Sequence, residues 1–315
     1  MEIRQLAAFV AIARANSFTL AARSLGVPQS ALSQRLRALE RELGVVLVDR
    51  DNRTTGLTTS GKALLERAER ILAEVHDAGA EAAAHAGVIG GTVRLGCALQ
   101  TLLEGRLAQL LARFHAKHPS LRLAIYEAHT RQVLDQLSRG HVDLALVHLG
   151  RAGDGDTIGV EAARAGMSLL RLAREPLVVI VGAEHRLARR ATVRFDDLSG
   201  EDYITFERGA TVRALVDAAA AARGIELRVV CTTANMGTVR AFAAAGLGVA
   251  IVPASATDVR SPALRAIPLV APRLERVVTL ARNPSRYEPP AVAALRKALV
   301  DGLGRSRAAR PSTVV

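Results

Sequence analysis

Residues 17–44 read SFTLAARSLGVPQSALSQRLRALERELG, and the second half of this stretch decides how the chain is read. Leu32, Leu36, Leu39 and Leu43 recur at spacings of four, three and four, which places them on one face of a helix over residues 29–43. The opposite face carries Ser30, Ser33, Gln34, Arg37 and Arg41. A leucine seam behind and Ser, Gln and Arg in front suits a helix lying in a DNA major groove. Arg bridges guanine, Gln bridges adenine, and Ser reaches bases or phosphates. Gly26-Val27-Pro28 supplies the tight turn before it, because Gly tolerates φ > 0 and Pro starts a helix well. Gln29 then stands at the N-terminal end, where base contacts concentrate in helix-turn-helix proteins. The pattern also fits an ordinary amphipathic surface helix with a solvated polar face, so the neighbours matter.

Upstream, Leu6, Phe9, Val10, Ile12 and Ala13 form the apolar stripe of a first helix that ends at Asn16-Ser17. Ser17 or Thr19 can cap a second helix over residues 20–25. Downstream, Gly44 stops the third helix, and two extended pieces follow at 45–48 and 55–58. The polar loop between them holds Arg50 and Arg53, two cations placed as a wing would place them. Residues 1–62 carry eight Arg and one Lys against five acids, a net of +4 suited to phosphate contact. Ser60-Gly61 opens a long helix to about residue 85. In it Leu64, Ala68, Ile71, Val75, Ala78 and Ala82 alternate at spacings of four and three. That is a coiled-coil seam between copies, or a face packed on its own domain.

Gly87, Gly90 and Gly91 mark a flexible junction, after which the pattern changes. Strand-like runs at 93–98, 121–126, 142–147, 177–181, 203–206, 228–232, 249–252 and 277–281 alternate with helical runs at 102–118, 130–140, 211–223, 236–245 and 290–303. Alternation of this kind predicts α/β units with largely parallel sheets. Residues 305–315 show no period and are expected to be disordered.

The composition agrees with this division. The chain has 315 residues, half of them hydrophobic and 23% charged, enough for two or more cores. The net charge of +12 comes almost wholly from Arg, Lys62, Lys117 and Lys297 being the only lysines. It favours a polyanion partner, nucleic acid first and anionic membrane second, although Arg in place of Lys can also be solvated surface. No apolar run reaches the length of a membrane span, and the N-terminus reads as an amphipathic helix rather than a signal peptide. Two cysteines, Cys97 and Cys231, make no disulfide framework; both read as core thiols of strands, and the cytoplasm is the expected compartment. Gly246-Leu247-Gly248 follows a helix and precedes a strand, the reverse of a dinucleotide fingerprint. His115 and His118 lack acid or Cys partners nearby, so no metal site is expected. No Ser/His/Asp or Cys/His order suggests a hydrolase, and no catalytic residues are assigned.

The segments SFTLAARSL, QSALSQRLRALE, LG, DR and LTTSGKALL, in this order, resemble the N-terminal region of LysR-type transcriptional regulators almost from end to end. Val48 stands where that family usually has Phe, a change of packing. GTVRLG, LLARFHAKHPSLRLAIYEA, LDQLSRGHVDLALV, EPLVVIVGAEHRLA and VRAFAAAGLGVAIVPAS carry a weaker resemblance through the remainder. The resemblance implies an α/β protein with an N-terminal winged helix-turn-helix, a linker helix, and an effector domain like a periplasmic binding protein, with two subdomains joined by crossing strands. The expected bounds are 1–59 for the DNA-binding domain, 60–90 for the linker and hinge, and 91–304 for the regulatory domain. Subdomain I would take about 91–163 and 269–304, and subdomain II about 164–268, with crossovers near 149–165 and 264–269.

By the same resemblance Gln29, Ser30, Ser33, Gln34 and Arg37 face bases or the flanking backbone, and Arg50 and Arg53 hold phosphates. A cleft between subdomains, lined by strand ends and helix N-termini, suits a small polar or anionic molecule. The candidates there are Gln100, Thr101, Thr130, His148, Phe206, Asn235, Met236 and Thr238. Thr101, Thr130, Asn235 and Thr238 can equally be helix caps, and His148 reads first as an ordinary strand-end histidine. Arg208 and Arg213 can attract an anion or be surface charge. The expected partners are double-stranded promoter DNA, a small-molecule co-inducer of unknown identity and further copies of the chain as a homodimer or homotetramer. No cofactor, metal or membrane is expected. The other reading is an α/β small-molecule-binding protein or enzyme with a helical appendage, which would lack steeply salt-dependent binding to DNA.

Overall fold

The structure, a computed structural model, describes residues 1–49, 56–85, 90–98, 105–150, 157–257 and 261–304. The chain divides into two compact units, one built on the N-terminal helices and one on the α/β remainder. The first opens with α1 (Ile3–Ala15), α2 (Phe18–Leu25) and α3 (Gln29–Leu43). Ser17 caps α2 by accepting the Leu20 N–H at 3.3 Å, and Gly26 and Gly44 end α2 and α3 in the left-handed region that glycine enters freely. Leu6, Phe9 and Ile12 meet Ala21, Leu32, Leu36 and Leu39 in one core. Leu43 departs from the expected seam: it lies in the last turn before Gly44 and is 38% exposed.

The wing strands are shorter than the sequence suggests. β1 (Val48–Asp49) and β2 (Gly56–Leu57) pair antiparallel, while Val45 and Val46 are exposed and outside the ladder. Val45 closes the end of α3 instead, its N–H donating to the Glu40 carbonyl at 3.2 Å, and Glu40 Oε1 accepts the N–H groups of Leu47 at 2.9 Å and Val48 at 3.3 Å. α4 (Thr59–His85) follows, capped by Thr58, whose Oγ1 accepts the Gly61 N–H at 3.0 Å. A Cβ on Gly61 would overlap the Leu47 carbonyl, so glycine is required where the helix meets the wing. The 4-3 seam of α4 splits: Leu64, Ala68 and Ile71 pack on the core of their own unit, whereas Val75, Ala78 and Ala82 are exposed.

The second unit is a sheet in the order β4-β3-β5-β11-β6-β9-β7-β8, with β10 also pairing β6. β3 (Gly91–Ala98) lies parallel between β4 (Leu121–Ala128) and β5 (Leu144–Leu149), and β7 (Asp202–Phe206) lies parallel between β8 (Arg228–Thr233) and β9 (Val249–Pro253). α5 (Arg106–Lys117), α6 (Thr130–Ser138), α8 (Thr211–Ala221), α9 (Met236–Ala244) and α10 (Pro290–Leu303) cover the faces. Each half has its own core, Leu95, Leu111, Leu146 and Leu295 in the first, and Val179, Phe195, Ile204 and Ile251 in the second.

The crossovers correct the expected ones. Residues 157–164 form a helix, α7, whose Ala162 packs in the first half with Val133 and Val147. The chain crosses instead within the long strand β6 (Ser168–Gly182): Leu172 belongs to the first core and Leu177 to the second. β10 (Leu264–Pro268) still lies in the second half, and the return is β11 (Glu275–Arg282), which pairs with β5 and with the first part of β6. The subdomain limits expected near 163 and 269 therefore move to about 174–177 and 275. The junction at 86–89 and the tail from 305 lie outside the described residues. No helix among the described residues is long and apolar enough to cross a membrane.

Candidate functional sites

Helix α3 separates its faces cleanly. Leu32, Leu36 and Leu39 are fully buried, while Gln29, Ser30, Gln34 and Arg37 are exposed and Ser33 is half-buried. The Gln29 side chain is held by Thr19 of α2, whose hydroxyl donates to Oε1 at 3.3 Å. Arg41 turns back to its own helix, its Nε donating to the Arg37 carbonyl at 3.4 Å. The wing cations Arg50 and Arg53 lie outside the described residues.

In the second unit a cleft opens between the halves, with Thr130, His148, Phe206, Thr211 and Arg276 among its lining residues. Thr130 and Thr211 are the first residues of α6 and α8, one helix from each half. Both hydroxyls donate to the same acceptor, the His148 carbonyl, each at 3.2 Å. The His148 ring is buried, and burial together with the Arg276 charge beside it holds its pKa well below the ordinary histidine value. It is therefore neutral. Its Nδ1 lies 3.3 Å from Arg276 Nη1, and a guanidinium can only donate, so Nδ1 accepts and the ring proton sits on Nε2. At the mouth, His129 Nε2 and Glu207 Oε1 lie 2.8 Å apart, joining the start of α6 to the end of β7. Gly209 packs beside the His129 ring with φ +96°, a conformation that demands glycine.

Of the residues proposed from sequence, Thr130, His148 and Phe206 come together at the cleft. Gln100 and Thr101 lie outside the described residues. Asn235, Met236 and Thr238 are not among the lining residues. Asn235 caps α9, its Oδ1 accepting the Thr238 N–H at 3.1 Å, and Met236 is buried in the second core. Only the preceding Ala234 reaches the cleft. Arg213 is bound to Asp217 at 2.7 Å and braces the end of β7 through the Phe206 carbonyl at 3.2 Å, while Arg208 is exposed. Sequence reasoning missed Thr211, His129, Glu207 and Arg276. Thr211 carried a usable signal, a hydroxyl at the first position of a helix following a strand. Cys97 is fully buried as expected, whereas Cys231 is only half-buried in the edge strand β8.

Residues 3–62 match the family described as bacterial regulatory helix-turn-helix protein, lysR family, and residues 86–304 match the LysR substrate binding domain. The chain belongs to the LysR family of transcriptional regulators. The DNA-binding transcriptional dual regulator OxyR of Escherichia coli (strain K12) is 29% identical over 295 residues, 91% of this chain and 93% of that protein. The uncharacterized HTH-type transcriptional regulator YnfL of the same strain is 30% identical over 272 residues, 85% and 88% of the two chains. A full-length OxyR variant from Pseudomonas aeruginosa shares the fold, with TM-score 0.69 at 23% identity over 96% of this chain and 94% of that one. CbnR in complex with its target DNA does likewise, with TM-score 0.66 at 24% identity over 96% and 100%. This LysR-type chain is thus a regulator with a DNA-binding helix-turn-helix and an effector-binding domain, and its relatives are regulators rather than enzymes. The reading as an enzyme with a helical appendage is set aside.

Proposed function

We propose that this regulator reads promoter DNA through Gln29, Ser30, Ser33, Gln34 and Arg37, with Arg50 and Arg53 on phosphates, and that a small polar molecule enters the cleft at Thr130, His148, Phe206 and Thr211. The observation that carries the effector site is the meeting of two helix-start hydroxyls, one from each half, on the single His148 carbonyl. A ligand that takes up either hydroxyl alters a contact shared by both halves, and the angle between them is what a two-subdomain domain can change. The exposed Val75, Ala78 and Ala82 of α4 offer a face for a second copy, in a homodimer or homotetramer working on DNA in the cytoplasm. The decisive experiment is sequencing of genomic fragments bound by the purified protein, followed by gel shifts with metabolites of the neighbouring genes. Effector response must weaken in Thr130→Val; an unchanged response shows that the cleft is misplaced.

Several relatives bear the name hydrogen peroxide-inducible genes activator. In this chain a ligand, rather than thiol oxidation, is the proposed signal. Burial, with the Glu127 charge beside it, pushes the Cys97 thiol up to about 12, so almost none is the reactive thiolate near neutrality. Neither cysteine is among the cleft-lining residues.

A further inference from the structure

Arg276 is fully buried, at 2% exposure, yet it lines the cleft. It stands directly opposite Glu175 in the β11–β6 register, at the point where both strands pass between the halves. Its Nε donates to Glu175 Oε2 at 2.6 Å and its Nη1 to His148 Nδ1 at 3.3 Å. Glu175 Oε1 in turn accepts the Ser255 N–H at 3.0 Å. A buried polar chain therefore runs from His148 in the first half, through both crossover strands, to Ser255 beside β9 in the second. Such a pair is weak evidence for stability, because desolvation offsets much of its attraction and apolar side chains would hold the strands as well. What sets this cation apart is its place at the wall of a ligand cleft.

We propose that Arg276 is the charge anchor of the effector, that the effector is a small carboxylate, and that its acid group competes with Glu175 for the guanidinium. This rests on the cleft being the effector site. Arg suits the task because its planar fork serves two carboxylates at once, which an ammonium point charge does less well. Two carboxylates on one guanidinium leave one negative charge over, beside Glu207 at the mouth, which is hydrogen-bonded to His129; the positive N-terminal ends of α6 and α8, whose first residues line the same cleft, offset part of it. An anion that draws Arg276 from Glu175 acts on the one strand pair through which both halves are joined. Occupancy thereby becomes a change at the hinge without a relay through the helices.

The test is calorimetry on the full chain with acetate, propionate and benzoate, each beside its neutral amide. The acids should bind about tenfold or more tighter than the amides, as a charge-assisted bond requires. Arg276→Gln should abolish that preference, and Glu175→Gln, which removes the competing charge but keeps an acceptor, should tighten acid binding several-fold. A merely structural pair predicts that both variants bind less. Should Arg276→Gln fail to fold by circular dichroism, the sign of the Glu175→Gln change decides alone. Equal binding of acids and amides, weaker acid binding by Glu175→Gln, or no binding of any acid overturns the proposal. If amides bind and Thr130→Val weakens them, the cleft stands as the effector site and only the anchor falls. If every bound probe ignores both Thr130→Val and Arg276→Gln, the cleft itself is wrong.

Discussion

Helix α3 and the cleft keep their polar groups under opposite conditions. On α3 Leu32, Leu36 and Leu39 are buried, and Gln34 and Arg37 stand in solvent, outside the core. In the cleft Thr130, His148 and Arg276 are each at most 3% exposed, and His148 is bonded to both of the others. The first surface can be changed one residue at a time with little effect on the fold. The second is a network in which every change disturbs another buried polar group, so at an effector site of this kind ligand binding and stability would move together.

Arg37→Ala tests the first half of that contrast and carries the largest expected effect. Loss of a bidentate base contact should cost ~1–3 kcal/mol of operator affinity and relax specificity at one base pair, with the melting temperature unchanged. Wild-type affinity and salt slope on both operator and random DNA would remove α3 as the reading element. A lowered melting temperature would erase the contrast instead.

His148 tests the second half. Its pKa is depressed in the folded chain, so below the ordinary histidine value of ~6.5 the unfolded chain takes up a proton that the folded chain refuses. Its contribution is intact above ~6.5 and is lost as pH falls, by at most ~1.4 kcal/mol per pH unit. Urea titrations between about pH 6.5 and 5 should show this slope, and His148→Gln should flatten it. An identical slope in the variant assigns it to other groups.

Thr130→Val and Thr211→Val sharpen the comparison further. Each should cost about 1 kcal/mol where its hydroxyl bond is lost. Because both donate to one carbonyl, their double variant should depart from additivity by roughly 0.5 kcal/mol or more. Thr130→Val combined with Arg37→Ala should add without coupling in stability. Additive threonines would mean that the two hydroxyls act independently.

The same contrast explains what was legible in the sequence. The seam of α3, its bounds at Gln29 and Leu43 and its polar face are local properties, fixed by spacings of three and four and by Gly44. The cleft is assembled from contacts between distant positions: Arg276 meets Glu175 across 101 residues and His148 across 128. In ERVVTLAR the arginine at 276 looks like a charge at the edge of a strand, and only its partner shows why it is buried. The first part of β6 was hidden for a related reason. Ser168–Pro176 is mostly exposed or half-buried and mixes Arg with Leu, so it shows neither a helical stripe nor a clean alternation. α4 read correctly as a helix but ambiguously as a seam, because one apolar stripe serves its own core at Leu64–Ile71 and solvent from Val75 onward.

Asn235 gives the smallest effect on ligand and the sharpest control. Like Thr130 and Thr211 it begins a helix that follows a strand, and in the sequence it reads, as Thr130 does, as either a cleft contact or a helix cap. They differ by one position. Thr130 and Thr211 are the first helical residues, N1, from which their hydroxyls reach across to His148. Asn235 is the N-cap, one residue earlier, where a side-chain oxygen folds back onto the N–H groups of its own first turn. Asn235→Ala should therefore cost about 1 kcal/mol of stability and leave effector affinity as in the wild type. Asn235→Asp, which keeps the acceptor and places a negative charge at a positive helix end, should restore that stability. A fall in effector affinity in Asn235→Ala without a fall in melting temperature would place Asn235 in the cleft. The distinction between N1 and N-cap hydrogen bonding would then no longer separate ligand contacts from structural ones in this domain.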